Sequence, residues 1–306
     1  MTHKVIEGVI PILVTPFFED GRVDSESLGR LIEFNIGAGV HGLGVALGSE
    51  VFKFTEAERL EVIEAVVGHV KGRVPVIINT GGAGTDLAVH YSKMAAKAGA
   101  DALMIMPPSF FPVGADEIFD YYSAIARAVD VPLILQDIPQ APISAALALR
   151  IAKACPNVRY IKVETPPVVA KVADMARQLG DALTIFGGAG GAYFIEELRR
   201  GARGTMPFCS QPAEFVGVWN LYMKGDEAGA RALFDRSFTA VNRVSGQGGD
   251  IFYHLHKRLL KRMGVIRSAH VRSPTMVLDA ITERELEAVI AEIAPVQQAF
   301  GAPVRA

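Results

Sequence analysis

The feature that most constrains this chain is an alternation repeated eight times along it: a short apolar run, then a longer stretch with helical periodicity. The apolar runs fall at residues 8–15, 42–47, 74–79, 102–106, 132–136, 158–162, 183–186 and 204–207. Most are almost continuously apolar, as expected of strands covered on both faces of a parallel sheet. Eight β-then-α units in about 220 residues favour an α/β fold of the closed (β/α)8 TIM-barrel type over an open doubly wound sheet. The open alternative has no Gly-x-Gly-x-x-Gly after the first strand to support it.

The intervening segments carry helix signals. Thr55 and Glu58 form a capping box ahead of an apolar stripe at Leu60, Ile63, Val66, Val67 and Val70. Leu87, Tyr91, Met94, Ala95 and Ala98 repeat the pattern, and Gly99 is placed to stop that helix. After about Lys224 the strand pattern ends. Residues 226–244, 250–263 and 282–294 read as three helices, the last with a capping box at Thr282 and Glu285. The expected organisation is a barrel over residues 1–223 and a C-terminal helical extension over 224–306, packed on it without a low-complexity linker.

Composition narrows the function classes. Half of the 306 residues are hydrophobic, enough for a large core, and the formal net charge is only −2. Neither nucleic acid nor an acidic membrane is an expected partner. Cys155 and Cys209 lie far apart with no ligand spacing, and no histidine pattern suggests a metal, so no metal and no cofactor are expected. Met1-Thr2-His3-Lys4 leads straight into a strand-like run without a signal-peptide pattern. The apolar stretch 9–18 is too short to span a bilayer and contains Pro11 and Pro16. The expectation is a cytoplasmic protein.

In a barrel of this kind the active site lies at the carboxyl ends of the strands. Lys162 is the most informative residue there. It closes the apolar run that starts at Val158, and lysine is seldom buried unpaired. A low-dielectric mouth favours the neutral amine, which is the nucleophile; alternatively the side chain reaches solvent or pairs with Glu164. Asp137 and Glu164 could transfer protons, or one could cap a turn and the other neutralise Lys162. Gly48 and Ser49 could hold a carboxylate, although an ordinary turn is the simpler reading. The glycines of 187–191 could hold phosphate or open space for a substrate; with no lysine or arginine among them, the second is preferred.

Taken together, these residues resemble the dihydrodipicolinate synthase/N-acetylneuraminate lyase family over nearly the whole chain. The resemblance rests on the opening run through Thr15-Pro16-Phe17, the Gly48-Ser49-Glu50 loop, Thr80-Gly81 with Thr85, the 98–101 segment, Pro139, and Ile161-Lys162. It implies a barrel with a three-helix C-terminal extension, assembled as a homotetramer. It also implies an imine between Lys162 and a small-molecule 2-oxo acid. Gly48 and Ser49 would then bind the substrate carboxylate, with Thr80, Gly188 and Met206 near the ligand.

The departures from the family pattern bear on the substrate. Gln136 stands where the family has a proton-relay tyrosine, and glutamine cannot exchange protons. Leu47-Gly48 replaces a hydroxyl pair, Ser109 falls near a second tyrosine, and Gln140-Ala141-Pro142 lacks the arginine that synthases use. Gln136-Asp137-Ile138-Pro139 together with Lys162-Val163-Glu164-Thr165-Pro166 is similar instead to the 2-keto-3-deoxy-L-arabonate dehydratase branch, although Gly188-Ala189-Gly190 replaces a more polar loop. The expected activity is dehydration of a 2-keto-3-deoxy sugar acid. Lys162 would be the nucleophile, Glu164 and Asp137 would handle protons, and Gln136 would position the imine. A pyruvate-dependent aldolase or a synthase-type condensation through the same imine is the alternative, followed by a non-catalytic 2-oxo-acid-binding protein.

Overall fold

The computed structural model describes residues 5–111 and 113–301; the opening Met1-Thr2-His3-Lys4 segment lies outside them. The eight strands appear where the apolar runs predict: β1 (Gly8–Val9), β2 (Leu43–Val45), β3 (Val76–Asn79), β4 (Ala102–Ile105), β5 (Leu133–Asp137), β6 (Val158–Val163), β7 (Thr184–Gly187) and β8 (Gly204–Thr205). All pairings between them are parallel, in the order β1-β8-β7-β6-β5-β4-β3-β2. The two ends of that order meet beyond the regular strands. Ile12 bridges Gly44, the Leu13 amide donates to the Gly44 carbonyl at 2.8 Å, and the Gly44 amide donates to the Pro11 carbonyl at 2.9 Å. The sheet therefore curls back on itself as a TIM-barrel-like layer with helices around it.

Successive strand residues face opposite sides of the sheet. Here that splits the apolar residues into two clusters. Ile10, Ile12, Ile77, Met104, Ile134, Tyr160, Phe186 and Met206 pack in the smaller cluster inside the curl. Leu133, Leu135, Ile161, Val163 and Ile185 pack outward with the helices. Lys162 and Gln136 share parity with Tyr160 and Ile134 and so face inward, whereas Asp137 shares parity with Leu135 and faces the helices.

The helices are α1 (Ser25–Gly37), α2 (Glu56–Val70), α3 (Thr85–Lys97), α4 (Ala115–Ala128), α5 (Ala145–Ala154), α6 (Val168–Leu179), α7 (Phe194–Leu198), α8 (Pro212–Met223), α9 (Glu227–Ser245), α10 (Ile251–Arg262) and α11 (Ala280–Ala299). The box at α2 forms: the Thr55 amide donates to Glu58 at 2.9 Å and the Glu58 amide donates to Thr55 Oγ1 at 3.3 Å. Leu60 leaves the stripe, being partly exposed, and the buried face is Val62, Ile63, Val66 and Val70. The box expected at Thr282 does not form. Asp279 caps α11 instead, accepting from the Ile281 and Thr282 amides at 2.9 and 2.8 Å. An aspartate preceding the expected start satisfies those amides first, and Glu285 is left to accept from Gln247.

Helix α9 packs on α8, and α11 packs on α9. The C-terminal segment also reaches the loop after β2. Lys257 of α10 donates to buried Glu50 at 2.5 Å and to the His270 carbonyl at 2.8 Å, and Lys53 donates to Glu50 at 2.9 Å. Phe17 lies between Lys257 and Arg272, whose cationic groups sit 4.4 and 4.3 Å from its ring centroid. The turn at Gly48 is thus held from one side by residues more than two hundred positions away.

Candidate active site

A cavity of ≈ 710 Å³ opens at the carboxyl ends of β5, β6 and β7 and continues between the sheet and helices α8, α9 and α10. Strand register places Gln136 beside Lys162 and Lys162 beside Phe186. Lys162 is 5% exposed, and its Nζ lies 3.1 Å from Glu164 Oε1. Glu164, just past the end of β6, also accepts from the Ala189 amide at 3.2 Å and from Gln136 Nε2 at 3.1 Å. Gln136 Oε1 in turn accepts from Asn79 Nδ2 at 3.1 Å. The amide of Gln136 is therefore oriented at both ends, with its donor side turned to the carboxylate. The result is an amine, a carboxylate and a fixed amide converging on one wall of an otherwise apolar cavity.

Of the glycines at the end of the seventh strand, Gly187 and Gly188 make room for carboxyl side chains, and Gly190 lines the cavity itself. A Cβ on Gly188 would lie 2.2 Å from Glu164 Cγ. A Cβ on Gly187 would lie 1.7 Å from an oxygen of Glu197. Either contact is far inside van der Waals distance, so the two glycines are what allow two carboxyl groups to approach β7 closely. Glu197 is fully buried, and neither of its carboxyl oxygens has a hydrogen-bond partner among the described residues. Burial first, then the charge of Glu164, pushes its pKa up to about 8.

Of the residues singled out from sequence, Lys162, Gln136, Glu164, Gly48 and Met206 line the cavity; Asp137, Ser49, Thr80 and Gly188 do not. Asp137 is buried among donors: Lys171 Nζ at 2.6 Å, the Ile143 amide at 2.8 Å, and Thr165 through its hydroxyl at 2.8 Å and its amide at 3.1 Å. Its backbone carbonyl accepts from the Glu164 amide at 3.0 Å. This carboxylate ties the ends of β5 and β6 together from the helix side of the sheet. The Ser49 hydroxyl is used by the backbone, donating to the Leu13 carbonyl beyond β1 and accepting from the Ala46 amide of its own turn at 3.0 Å. The Thr80 hydroxyl lies 2.9 Å from Ser92 Oγ, away from the cavity.

Another part of the cavity wall comes from residues that a search of strand ends passes over. Phe208 and Ser210 follow β8, and Phe252, Tyr253 and His256 come from α10. Tyr253 donates to the Leu47 carbonyl at 2.5 Å, and its burial raises the phenol pKa. Their spacing at 252, 253 and 256 is that of one helix face, so the signal was present in the sequence. Among the described residues no group of three or more His, Cys, Asp or Glu could hold a metal ion, and no helix is long and apolar enough to cross a membrane.

A curled parallel α/β sheet with a buried lysine and a paired carboxylate at its carboxyl end defines a class, barrel enzymes that work at the strand mouth. Comparison with known proteins makes the assignment specific. The dihydrodipicolinate synthetase family model matches residues 5–293. An L-2-keto-3-deoxyarabonate dehydratase of Azospirillum brasilense is 30% identical over 295 residues, 94% of each chain. A 4-hydroxy-tetrahydrodipicolinate synthase of Sorangium cellulosum is 38% identical over 240 residues, covering 76% of this chain and 79% of its own. The crystal structure of a dihydrodipicolinate synthase from Rhodopseudomonas palustris superposes with a TM-score of 0.85 at 26% identity, covering 94% of this chain and 97% of its own. The chain belongs to the dihydrodipicolinate synthetase family, and it is a lyase-type enzyme.

Proposed function

We propose that this enzyme dehydrates a 2-keto-3-deoxy sugar acid through an imine on Lys162. The observation that carries the reading is the Lys162–Glu164–Gln136 constellation: a buried amine 3.1 Å from a carboxylate that an oriented amide also holds. The amine attacks the C2 carbonyl, water leaves, and an iminium forms as an electron sink. Glu164 removes a C3 proton to give the enamine. The enamine electrons then expel the C4 hydroxyl, which departs as water with the proton that Glu164 returns. Water hydrolyses the resulting unsaturated iminium and frees Lys162. Gln136 holds the carboxylate and does not exchange protons. Gly48 contributes backbone to the wall that faces the substrate carboxylate. Asp137 acts one step removed, by fixing the backbone from which Glu164 projects.

The similarity to the Azospirillum dehydratase over almost the full length supports this reading. The higher identity to the Sorangium synthase over a shorter span favours a second one, condensation or aldol cleavage through the same imine. Product analysis separates them, because cleavage releases pyruvate and dehydration does not. We assign the same chain to a cytoplasmic homotetramer, with residues 224–306 as a three-helix extension of a (β/α)8 barrel. Sedimentation velocity tests the assembly.

The direct test is borohydride reduction in the presence of a 2-oxo acid, followed by peptide mass spectrometry. The reading expects an adduct on Lys162 and none in Lys162→Ala, with turnover lost. Normal turnover in that variant removes the mechanism.

A further inference from the structure

Helix α10 holds the turn after β2 at both of its ends. Tyr253 Oη donates to the Leu47 carbonyl at 2.5 Å, and Lys257 Nζ donates to a carboxylate oxygen of Glu50 at 2.5 Å. Residues four apart share a helix face, so both contacts come from one stripe of α10. The turn is one that needs holding. Glu50 has φ 59° and ψ 29°, the left-handed region that a Cβ disfavours.

Inside the turn the backbone groups are largely spent. The Ser49 amide donates to the Ala46 carbonyl at 2.8 Å, and the Glu50 amide donates to the Leu47 carbonyl at 2.9 Å. The Ser49 carbonyl accepts from Thr15 Oγ1 at 2.7 Å. The Gly48 amide makes no such bond among the described residues, and Gly48 lines the cavity together with Leu47 and Tyr253.

The Leu47 carbonyl and the Gly48 amide are the two ends of one trans peptide group, so they point in opposite directions. A hydroxyl bound to the carbonyl therefore sits across the peptide from whatever the amide binds. It also polarises the group, and the amide becomes a stronger donor. Tyr253 suits that task. Its ring is buried, with Lys53 Nζ 5.4 Å from the ring centroid. Burial raises the phenol pKa, so Oη keeps its proton at physiological pH.

We propose that Tyr253 is a positioning residue for the substrate carboxylate. By bonding the Leu47 carbonyl it fixes and polarises the Leu47–Gly48 peptide, whose N–H donates to the carboxylate of the 2-oxo acid held on Lys162. This rests on the imine reading of Lys162 and on the reading of Gly48 as part of the wall that faces the carboxylate. It gives a helix near the C-terminal end of the chain a part in substrate binding.

The experiment compares pyruvate with pyruvamide, which has the same shape and no charge. The half-saturating concentration and the maximal rate of borohydride trapping on Lys162 are measured for each. Tyr253→Phe keeps the ring and leaves the Leu47 carbonyl its bond from the Glu50 amide. In that variant the half-saturating pyruvate concentration should rise about three- to tenfold, part of the worth of a hydrogen bond to a charged group. The value for pyruvamide should rise less, because a neutral acceptor gains less from a polarised donor. The change in the maximal rate should be smaller than the change in half-saturation for pyruvate. An unchanged value for pyruvate, or an equal rise for both compounds, would overturn the proposal; the equal rise is what a merely structural tie predicts. If Tyr253→Phe does not fold, 3-fluorotyrosine at position 253 decides. It donates more strongly, so the preference for pyruvate over pyruvamide should grow, and a preference that stays the same or shrinks overturns the proposal. Equal trapping of the two compounds by the wild type would mean that the reading of Gly48 has failed, and the proposal with it. If neither compound traps on Lys162 in the wild type, it is the imine reading that has failed.

Discussion

Replacing Glu197 by glutamine isolates the electrostatic consequence of a carboxyl group buried without a hydrogen-bond partner among the described residues. The native side chain sits in the space left by Gly187, fully buried, with its pKa raised from the ordinary 4.5 to about 8 by burial and by Glu164. Below pH 4.5 the folded and unfolded chains both carry the proton. Between 4.5 and 8 the folded chain keeps it and the unfolded chain releases it, so stability falls as pH rises. At 1.36 kcal/mol per pH unit, the wild type should lose about 3 kcal/mol by pH 7 and about 5 kcal/mol by pH 8, then level off. Glu197→Gln has nearly the same shape and no titration, so it should lack this slope. The assay is urea unfolding of both proteins at intervals from pH 4.5 to 8.5. The quantity of interest is the difference between them, because buried Glu214, raised to about 7, contributes its own slope to both. The two proteins should be close in stability near pH 4.5, with the variant pulling ahead as pH rises. A difference that stays flat across the range would refute the reasoning, since it would mean that Glu197 either finds a partner or is reached by water.

Two other substitutions test the framework around the site. Gly188→Ala places a methyl group 2.2 Å from Glu164 Cγ and must displace the carboxylate. Turnover should drop about 10²-fold or more, as for loss of a proton-transfer group, while overpacking costs about 1–3 kcal/mol. Unchanged turnover with a measurable loss of stability would separate Glu164 from the chemistry. Lys257→Met leaves the buried Glu50 carboxylate, among the described residues, with Lys53 and the Arg272 amide, and should cost about 3 kcal/mol in chemical unfolding. Adding Glu50→Gln should restore part of that loss, and a double variant no more stable than Lys257→Met would show that the pair is not acting through its charge.

Much of the fold was legible because strand and helix periodicities are local. The strands at β5 and β6 needed only runs of apolar residues, and the α2 cap needed only Thr55 and Glu58 at the right spacing. The inward orientation of Lys162 and Gln136 follows from the same period of two that turns Ile134 and Tyr160 inside. That parity also turns Asp137 outward, so its distance from the cavity was implicit in the sequence, and an argument based on strand-end position alone overlooked it. Helix α11 shows a local limit: two capping patterns competed within a few residues, and the aspartate that came first along the chain prevailed.

By itself, then, the sequence determined the order of elements, the parallel sheet and the lysine at the mouth of the cavity, all carried by neighbours in the chain. Tertiary structure decided the rest. Glu164 meets Lys162 only because Gly188, just past the end of the next strand, has no side chain. Glu197 becomes a buried acid only because α7 folds over Gly187. His256 and Tyr253 reach the cavity only because α10 packs along it, and Lys257 of that helix pins Glu50 beside the Gly48 turn. Each of these depends on which distant groups share a small volume. Burial, pairing and pKa are properties of that shared volume, and no spacing along the chain encodes them.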